Sequence, residues 1–339
     1  MDSLLVPKKL QRGDTIALIS VSGGRAGDPD MLPRYELGKK RLEETFGVKV
    51  INTPNALKGN QFLYEHPELR AQDLMWAFEN DEVNGVICNM GGDDSYRVLP
   101  LVDWAIIKKH PKVFMGYSDI ASWTTAFAIA GVRSYYGPNL LTPIAQPVSL
   151  DEYTKRSIER FLFSNDVIGE VEPCEQFTNI EWNDKIKPRK IKWTKNTGYE
   201  VIQGKGKVQG RLFGGCTGPL RQIMGTKFFP KPEFFEGCII ALEVGSPYGS
   251  ALAGLHDLRA FAAAGVFDKA AGFYLTQEND YERSLVLKVI NEEVHRNDLP
   301  IIVNGDFGHR TPMSILPIGA MCEIDCDEAK FRILEPTVS

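Results

Sequence analysis

The chain has 339 residues, 43% of them apolar and 24% charged, with a net charge of −5 and a pI of about 5.7. That balance belongs to a globular protein long enough for two domains, each with its own core, and it argues against a surface dedicated to a nucleic-acid polymer. No apolar stretch reaches the ~18 residues of a membrane span, and the start, with Lys8, Lys9 and Arg12, lacks the apolar core of a signal peptide.

Cys88, Cys174, Cys216, Cys238, Cys322 and Cys326 are scattered, form no C-x-x-C pair and sit partly in apolar runs. They read as reduced, buried thiols of a cytoplasmic protein.

Taken in chain order, Thr15–Ser20 reads as a buried strand that runs into a polar, Gly-containing loop over 21–27. Residues 32–46 have a helical pattern and 48–51 form a short strand. Residues 67–80 carry Leu69, Leu74, Ala77 and Phe78 at helical spacing. The strand over 83–88 enters Asn89-Met90-Gly91-Gly92-Asp93-Asp94-Ser95, where the pattern predicts a helix start with an aspartate cap. Another apolar strand, 113–116, ends in Gly116-Tyr117-Ser118-Asp119, and a helix follows over 120–130. Strands alternating with helices predict a doubly wound parallel sheet. Ligands bind beyond the carboxyl ends of such strands, so the Gly91-Gly92 turn and the Ser118 turn should share one rim.

The composition shifts at about residue 165. Residues 165–207 are polar and interleaved with Phe177, Trp182, Trp193 and Tyr199, and a basic cluster runs from Lys185 to Lys195. This reads as a connector with a long functional loop, or as a solvated linker whose tryptophans pack on a neighbouring surface. Regular structure resumes at Val208. Strands are expected over 209–213, 237–242, 272–275 and 301–303, helices over 218–225, 250–264 and 282–296, and three short closing strands over 314–318, 321–324 and 330–334. The expected organisation is an N-terminal α/β domain (1–164), a connector and loop (165–207) and a C-terminal β/α domain (208–339) ending in antiparallel strands.

A serine on a sharp strand-to-helix turn is lifted clear of the sheet edge, which is the geometry of a nucleophile elbow. The same Gly-x-Ser-Asp also suits an ST-turn that caps the helix. Serine needs a base, and the base needs an acid to fix its tautomer. His309, in Asp306-Phe307-Gly308-His309, and Glu243, closing an apolar strand, supply those residue types in the order nucleophile, acid, histidine. The Asp119 N–H, next after the serine, and the Gly92 N–H, where glycine allows close approach, are the candidate oxyanion donors. The Gly-Gly turn lacks the G-x-G-x-x-G spacing of a dinucleotide site, and no Walker motif is present. Asp93, Asp94 and Asp119 have neither paired histidines nor calcium-loop spacing beside them, so no metal and no cofactor is expected.

Seven segments stand in a distinctive order: Gly13-Asp-Thr-Ile-Ala17, Asn89-Met-Gly-Gly92, Phe114-Met-Gly-Tyr-Ser-Asp119, Tyr136-Gly-Pro-Asn139, Gly210-Arg-Leu-Phe-Gly-Gly215, Leu242-Glu243, and Asp306-Phe-Gly-His309 with Pro317-Ile-Gly319. With these, the chain resembles the LD-carboxypeptidase family of serine peptidases along nearly its whole length. The resemblance implies a Ser118–Glu243–His309 triad, an N-terminal flavodoxin-like domain, a C-terminal swivelling β/α domain, an active site between them and a homodimer.

Gly91-Gly92-Asp93-Asp94-Ser95 and the aromatic loop are more similar to the microcin C self-immunity branch than to the murein-recycling branch. On that resemblance Trp182, with Trp193 behind it, would stack on a nucleotide base, and nearby lysines and arginines would meet its phosphate. Gly91 and Asp93 would line the substrate site. Arg310 stands where related chains carry a small polar residue and would shape the leaving-group pocket. The implied substrate is an aminoacyl or peptidyl nucleotide cleaved at the carboxyl side of an acidic residue. The alternatives are a murein tetrapeptide losing D-alanine and a non-catalytic small-ligand binder on the same scaffold.

Overall fold

The computed structural model describes residues 1, 3–178, 192–244, 251–276 and 280–339. Trp182 and the basic residues Lys185, Lys187, Arg189 and Lys190 lie outside the described residues.

Two sheets organise the chain. The first is built from β1 (Thr15–Ile19), β2 (Lys49–Asn52), β3 (Val83–Cys88), β4 (Val113–Gly116) and β5 (Tyr135–Tyr136). Their order is β5-β4-β3-β1-β2, all parallel. The chain reverses direction across the sheet between β1 and β3, which places a crevice beyond their carboxyl ends.

Crossover helices cover its faces: α1 (Leu32–Phe46), α2 (Asn60–Glu65), α3 (Pro67–Glu79), α4 (Trp104–Lys109) and α5 (Ile120–Ala130). Local chemistry sets their ends. A proline in the first turn starts α1, and Gly47 at φ +66° stops it, its N–H bonded to the Glu43 carbonyl. Helix α5 is apolar nearly all round and buried nearly all round, as a helix between two layers must be.

The second sheet follows a short helix, α6 (Glu152–Ile158). Its strands are β6 (Gly169–Glu170), β9 (Glu200–Gln203), β10 (Lys207–Cys216), β11 (Ile239–Glu243), β12 (Gly272–Thr276), β13 (Ile301–Gly305), β15 (Met321–Asp325) and β16 (Lys330–Ile333). Between β6 and β9 a separate pair forms from β7 (Gln176–Phe177) and β8 (Thr194–Lys195), and β14 is Leu316–Pro317. The order is β6-β16-β15-β10-β11-β12-β13-β9, with β10 to β13 parallel and the flanking strands antiparallel. Helices α7 (Thr217–Gln222), α8 (Ala251–Ala263) and α9 (Asp280–Lys288) complete this half. The fold is mixed α/β, as expected: a parallel N-terminal sheet and a C-terminal sheet with antiparallel strands.

The two halves are interlaced. Strand β14 crosses over to pair antiparallel with β5 of the first sheet. The carboxyl-terminal tail returns as well: Tyr135 donates to the Thr337 carbonyl at 2.6 Å, and the buried Arg133 guanidinium binds the Pro336 carbonyl and Glu335. One apolar cluster runs through both sheets. The carboxyl end of β10 lies on the start of α5 so closely that a Cβ at Gly215 would stand 2.7 Å from the Ala121 Cβ.

Three expectations are corrected. No α-helix starts at the Asp93-Asp94 turn; a 3-10 turn forms over Ser95–Arg97. The Asp94 carboxylate takes the Arg70 guanidinium in two bonds, at 2.8 and 2.9 Å, and so does not cap. The 165–207 stretch is more than connector, because β6 and β9 close opposite edges of the second sheet. The closing strand expected over 314–318 shortens to β14 and belongs to the first sheet.

Strand β10 runs beside β11 at Gly214, which pairs with Ala241, and a Cβ there would stand 1.7 Å from the Ala241 carbonyl oxygen. Gly214→Ala should therefore cost about 3 kcal/mol or more, which urea denaturation of the two proteins will measure.

Candidate active site

The carboxyl ends of β4, β11 and β13 meet at the junction of the two sheets. Residue 118 follows β4 and has φ +68°, a conformation that a side chain other than glycine adopts at a cost of about 1–3 kcal/mol. Neighbours hold it there. Tyr117 donates its N–H to Asn139 Oδ1 at 3.2 Å, and Ser118 donates its N–H to the Tyr136 hydroxyl at 3.1 Å. The ST-turn alternative is not what forms: α5 has no side-chain cap bond at its N-terminus. Ser118 Oγ lies instead 3.0 Å from His309 Nε2.

The chain of bonds continues. His309 Nδ1 is 2.8 Å from Glu243 Oε1, the same oxygen accepts the His309 N–H at 2.7 Å, and Glu243 Oε2 accepts the Tyr136 hydroxyl at 3.2 Å. A donor on Nδ1 leaves Nε2 as the acceptor for the serine hydroxyl. Burial pushes the Glu243 carboxyl up, but the His309 charge and the bonds from His309 and Tyr136 outweigh it and hold Glu243 below the usual carboxylate range. The Tyr117 ring meets the His309 ring edge-on, with centroids 5.1 Å apart. Gly308 leaves no room for a side chain, since a Cβ there would stand 2.4 Å from Glu243 Cδ.

The backbone on either side of Gly92 and Asp119 sets the direction of their N–H groups. The Gly91 carbonyl accepts from the Gly23 N–H at 3.0 Å, so the N–H of Gly92, on the other side of that planar trans peptide, points away from the Gly23 loop. The Ser118 carbonyl accepts from Ala121 at 3.0 Å inside α5, so the Asp119 N–H points out of the helix. Neither N–H has an acceptor among the described residues. A Cβ at Gly91 would stand 2.7 Å from the Ser118 Cβ, and one at Gly92 would stand 2.4 Å from Ser22 Oγ. Both glycines are therefore spatial requirements.

The Asp119 carboxyl, fully buried and pushed up by that burial, accepts from Ser22 Oγ at 2.5 Å and from the Ser95 N–H at 3.0 Å. It ties together the loops that follow β1, β3 and β4.

A cavity of about 600 Å³ opens over Ser118. Gly91, Gly92, Asp93, Tyr117 and His309 line it, as do Cys216, Arg221 and Gln222 from the second half. Its cations differ in setting. Arg70 is neutralised inside the wall by Asp94, whereas Arg221 is backed at 3.0 Å by the buried Asp257, which is itself held by the Thr217 hydroxyl at 2.8 Å. Cys216 Sγ, the Glu243 carboxylate and the His309 ring lie within 4.8 Å of one another. Both Glu243 oxygens are engaged, and the Cys216 thiol is pushed far up by burial and by the Glu243 charge, so it stays protonated beside the serine.

The structure thus brings Ser118, Glu243, His309, Gly91, Gly92, Asp93 and Asp119 to one place. Trp193 and Arg310 are not among the described residues that line the cavity. Trp193 is exposed beside β8, and the Arg310 guanidinium lies 4.6 Å over the Phe177 ring. Sequence reasoning gave no role to Tyr136, Asn139, Cys216 or Arg221. Tyr136 and Asn139 were visible as a motif, but a tyrosine's partners depend on a contact 107 residues away.

Residues 16–137 match the LD-carboxypeptidase N-terminal domain and residues 209–324 the LD-carboxypeptidase C-terminal domain. The chain is 28% identical to a putative carboxypeptidase, YocD, of Bacillus subtilis (96% of this chain, 97% of the relative). It is 26% identical to the microcin C7 self-immunity protein MccF of Escherichia coli (99% and 97%). A probable murein peptide carboxypeptidase of Bacillus subtilis is 28% identical (98% and 95%). Among solved structures, an MccF-like protein from Bacillus anthracis superposes with a TM-score of 0.86 at 28% identity (98% and 99%). MccF in complex with aspartyl sulfamoyl adenosine superposes with a TM-score of 0.85 at 26% identity (99% and 100%).

Two measurements probe this geometry. Gly308→Ala should fold but lose activity by about 10²-fold, because the displaced Glu243 no longer holds His309 in line; circular dichroism alongside kcat/KM will show it. The second concerns Asp306, whose carboxyl is pushed up by burial, against the bonds from Cys174 and Tyr153, to about 6 from an ordinary 3.8. A folded-state pKa above the unfolded one means that its contribution to stability is fully present below about pH 4 and is lost as pH rises through about 6. Asp306→Asn should flatten the dependence of Tm on pH across that window.

Proposed function

We propose, for a chain that belongs to the LD-carboxypeptidase family, that it is a serine peptidase with Ser118 as nucleophile, His309 as general base and Glu243 as the acid that orients it. One observation carries the reading: the unbroken hydrogen-bond chain Glu243–His309–Ser118, with the serine on a positive-φ elbow.

In this mechanism Ser118 Oγ attacks the scissile carbonyl as His309 Nε2 takes its proton. Glu243 stabilises the imidazolium through Nδ1–H. Charge then develops on the carbonyl oxygen, which the Gly92 and Asp119 N–H groups receive, with no reorganisation needed at that moment. The nitrogen leaving group departs with the proton from His309. Water, activated by the same histidine, clears the acyl-enzyme and returns the proton. Glu243, His309 and Ser118, which carry the proton transfers, already stand within hydrogen-bond reach of one another.

The favoured substrate is an aminoacyl or peptidyl nucleotide of the microcin C kind, cleaved at the carboxyl side of an acidic residue. Its support is the likeness to MccF, and to MccF in complex with aspartyl sulfamoyl adenosine. Arg221, half exposed on the cavity wall, suits an anionic ligand. Trp182, and behind it Trp193, would stack on the base, and Arg310 would border the leaving group. A murein tetrapeptide losing D-alanine is the second reading, favoured by the likeness to a murein peptide carboxypeptidase. In either case the enzyme acts in the cytoplasm as a homodimer. All six cysteines are free thiols, and no helix among the described residues is long and apolar enough to cross a membrane.

The deciding experiment gives the purified protein an aspartyl sulfamoyl adenosine and, separately, a murein tetrapeptide, with Ser118→Ala as control and mass spectrometry as readout. Cleavage of the nucleotide alone, abolished in Ser118→Ala, is the expected result. Release of D-alanine alone would transfer the assignment to murein recycling, and undiminished hydrolysis by Ser118→Ala would sink the serine mechanism. Trp182→Ala should weaken nucleotide turnover by about 10-fold, in keeping with the ~1–3 kcal/mol of one base–aromatic stack, and spare murein peptides.

A further inference from the structure

His309 rides on a turn that begins at Asp306, and the Asp306 carboxyl takes no part in the bond chain through Ser118. It is nevertheless almost completely buried, at 2% exposure. Oδ2 accepts the Cys174 N–H at 2.6 Å, and Oδ1 accepts the Cys174 thiol at 3.1 Å and Asn196 Nδ2 at 3.3 Å. The Tyr153 hydroxyl lies 3.5 Å from Oδ2. Cys174 and Asn196 flank the β7–β8 pair on either side, and the Asn196 N–H bonds to the Glu175 carbonyl at 2.9 Å. One carboxyl thus joins both ends of that pair to the turn.

The turn is fastened at further points. The Ser314 N–H closes it on the Asp306 carbonyl at 2.6 Å, and Thr311 exchanges both backbone bonds with Thr178, at 2.7 and 3.0 Å. The Phe307 ring lies 5.1 Å from that of Tyr274. Among the described residues, the groups facing the carboxyl that titrate or carry charge include Cys174, Tyr153, Tyr199, Tyr274 and Arg310. Arg310 adds a positive charge, and among the described residues Cys174, Asn196 and Tyr153 meet the carboxyl with neutral donors. Burying it so costs stability at neutral pH. A carboxyl buried at that cost, three positions from the base, is better accounted for by what it aligns than by what it stabilises.

We propose that Asp306 is a positioning residue for the reaction: by joining Cys174 to Asn196 it fixes the root of the His309 turn, and so keeps Nε2 in line with Ser118 Oγ. The proposal rests on the reading of Ser118 and His309 given above.

The test reads Ser118 reactivity directly, without a physiological substrate. The rate of labelling by a fluorophosphonate is measured on the full chain for the wild type, Ser118→Ala, Asp306→Ala and Asp306→Asn, with a thermal melt of each. Asp306→Ala is expected to remain folded and to label about 10-fold more slowly or worse. Asp306→Asn, whose amide oxygen can take the place of Oδ2 and accept the Cys174 N–H, is expected to recover to within about 3-fold of the wild type with a Tm at neutral pH no lower than the wild type's. Asn196→Ala removes a single arm of the clamp at smaller risk to the fold and should slow labelling about 3-fold. Wild-type labelling rates in Asp306→Ala and Asn196→Ala would overturn the proposal, as would slowing that only tracks the unfolded fraction. A wild type that labels no faster than Ser118→Ala would overturn the serine reading itself and this proposal with it, a result distinct from the first.

Discussion

The 3.0 Å contact between His309 Nε2 and Ser118 Oγ is the constraint on which the rest of this structure depends. The two groups belong to different sheets. A side chain beyond β13 must meet one beyond β4, so the error in placing one sheet on the other must stay well below the ~1 Å at which such alignment fails. The fastenings between the halves make sense in that light. β14 leaves the second half to become an edge strand of the first, and the tail from Glu335 to Thr337 is bound by Arg133 and Tyr135. Gly215, by lacking a side chain, lets the end of β10 sit on Ala121 in the helix that follows the serine. Tyr136 couples the halves at the site itself, accepting from Ser118 and donating to Glu243 through one oxygen.

Around this contact the molecule is locally less stable than it could be. Ser118 holds a left-handed backbone. Asp119 and Asp306 are buried carboxyls whose pKa values burial pushes up, which means that ionisation works against the folded state. Asp119 Oδ2 nonetheless takes donors from Ser22 and Ser95, and Asp306 takes them from Cys174, Asn196 and Tyr153. The strain is thus traded for connection: Asp119 joins three loops of the first sheet, and Asp306 joins the His309 turn to the base of the β7–β8 pair. Clustering of such groups at a site is expected where geometry matters more than local stability.

How much of this was legible in the sequence follows from the range of the interactions involved. Helix α1 begins and ends within a residue of its expected bounds because its proline and glycine act locally. The elbow was legible too, since an apolar run, a Gly-Tyr-Ser-Asp turn and an apolar helix are all local signals. The helix expected at Asp94 failed because a tertiary partner, Arg70, claimed the capping carboxylate. β9 was not read because only Val201 and Ile202 of its four residues are apolar, too short a signal without its partner β13. For the same reason β14 could be expected as a strand but not assigned to its sheet. The meeting of Ser118, Glu243 and His309 was an inference from order and resemblance, and distance enters only with the fold.

The cavity's charge pattern bears on specificity, because its cations are not equivalent. Arg70 is buried and faces Asp94 within the same wall, so its field largely cancels before it reaches a ligand. Burial pushes the Asp94 carboxyl up, and Arg70 and Arg97 together outweigh that and hold it down, so both arginines already engage this carboxylate. Arg221 is half exposed, and its counter-charge, Asp257, sits behind the wall. A guanidinium backed by an acid on one side is oriented and still presents donors on the other. Asp93, exposed on the same rim, opposes it and would penalise a carboxylate placed there. Gln222, next to Arg221, donates to the Asp93 carbonyl at 3.2 Å, so the cation and the acid stand on neighbouring parts of one rim. Arg221 belongs to α7, at the carboxyl end of β10, so the cavity wall is divided between the two halves, as Ser118, Glu243 and His309 are.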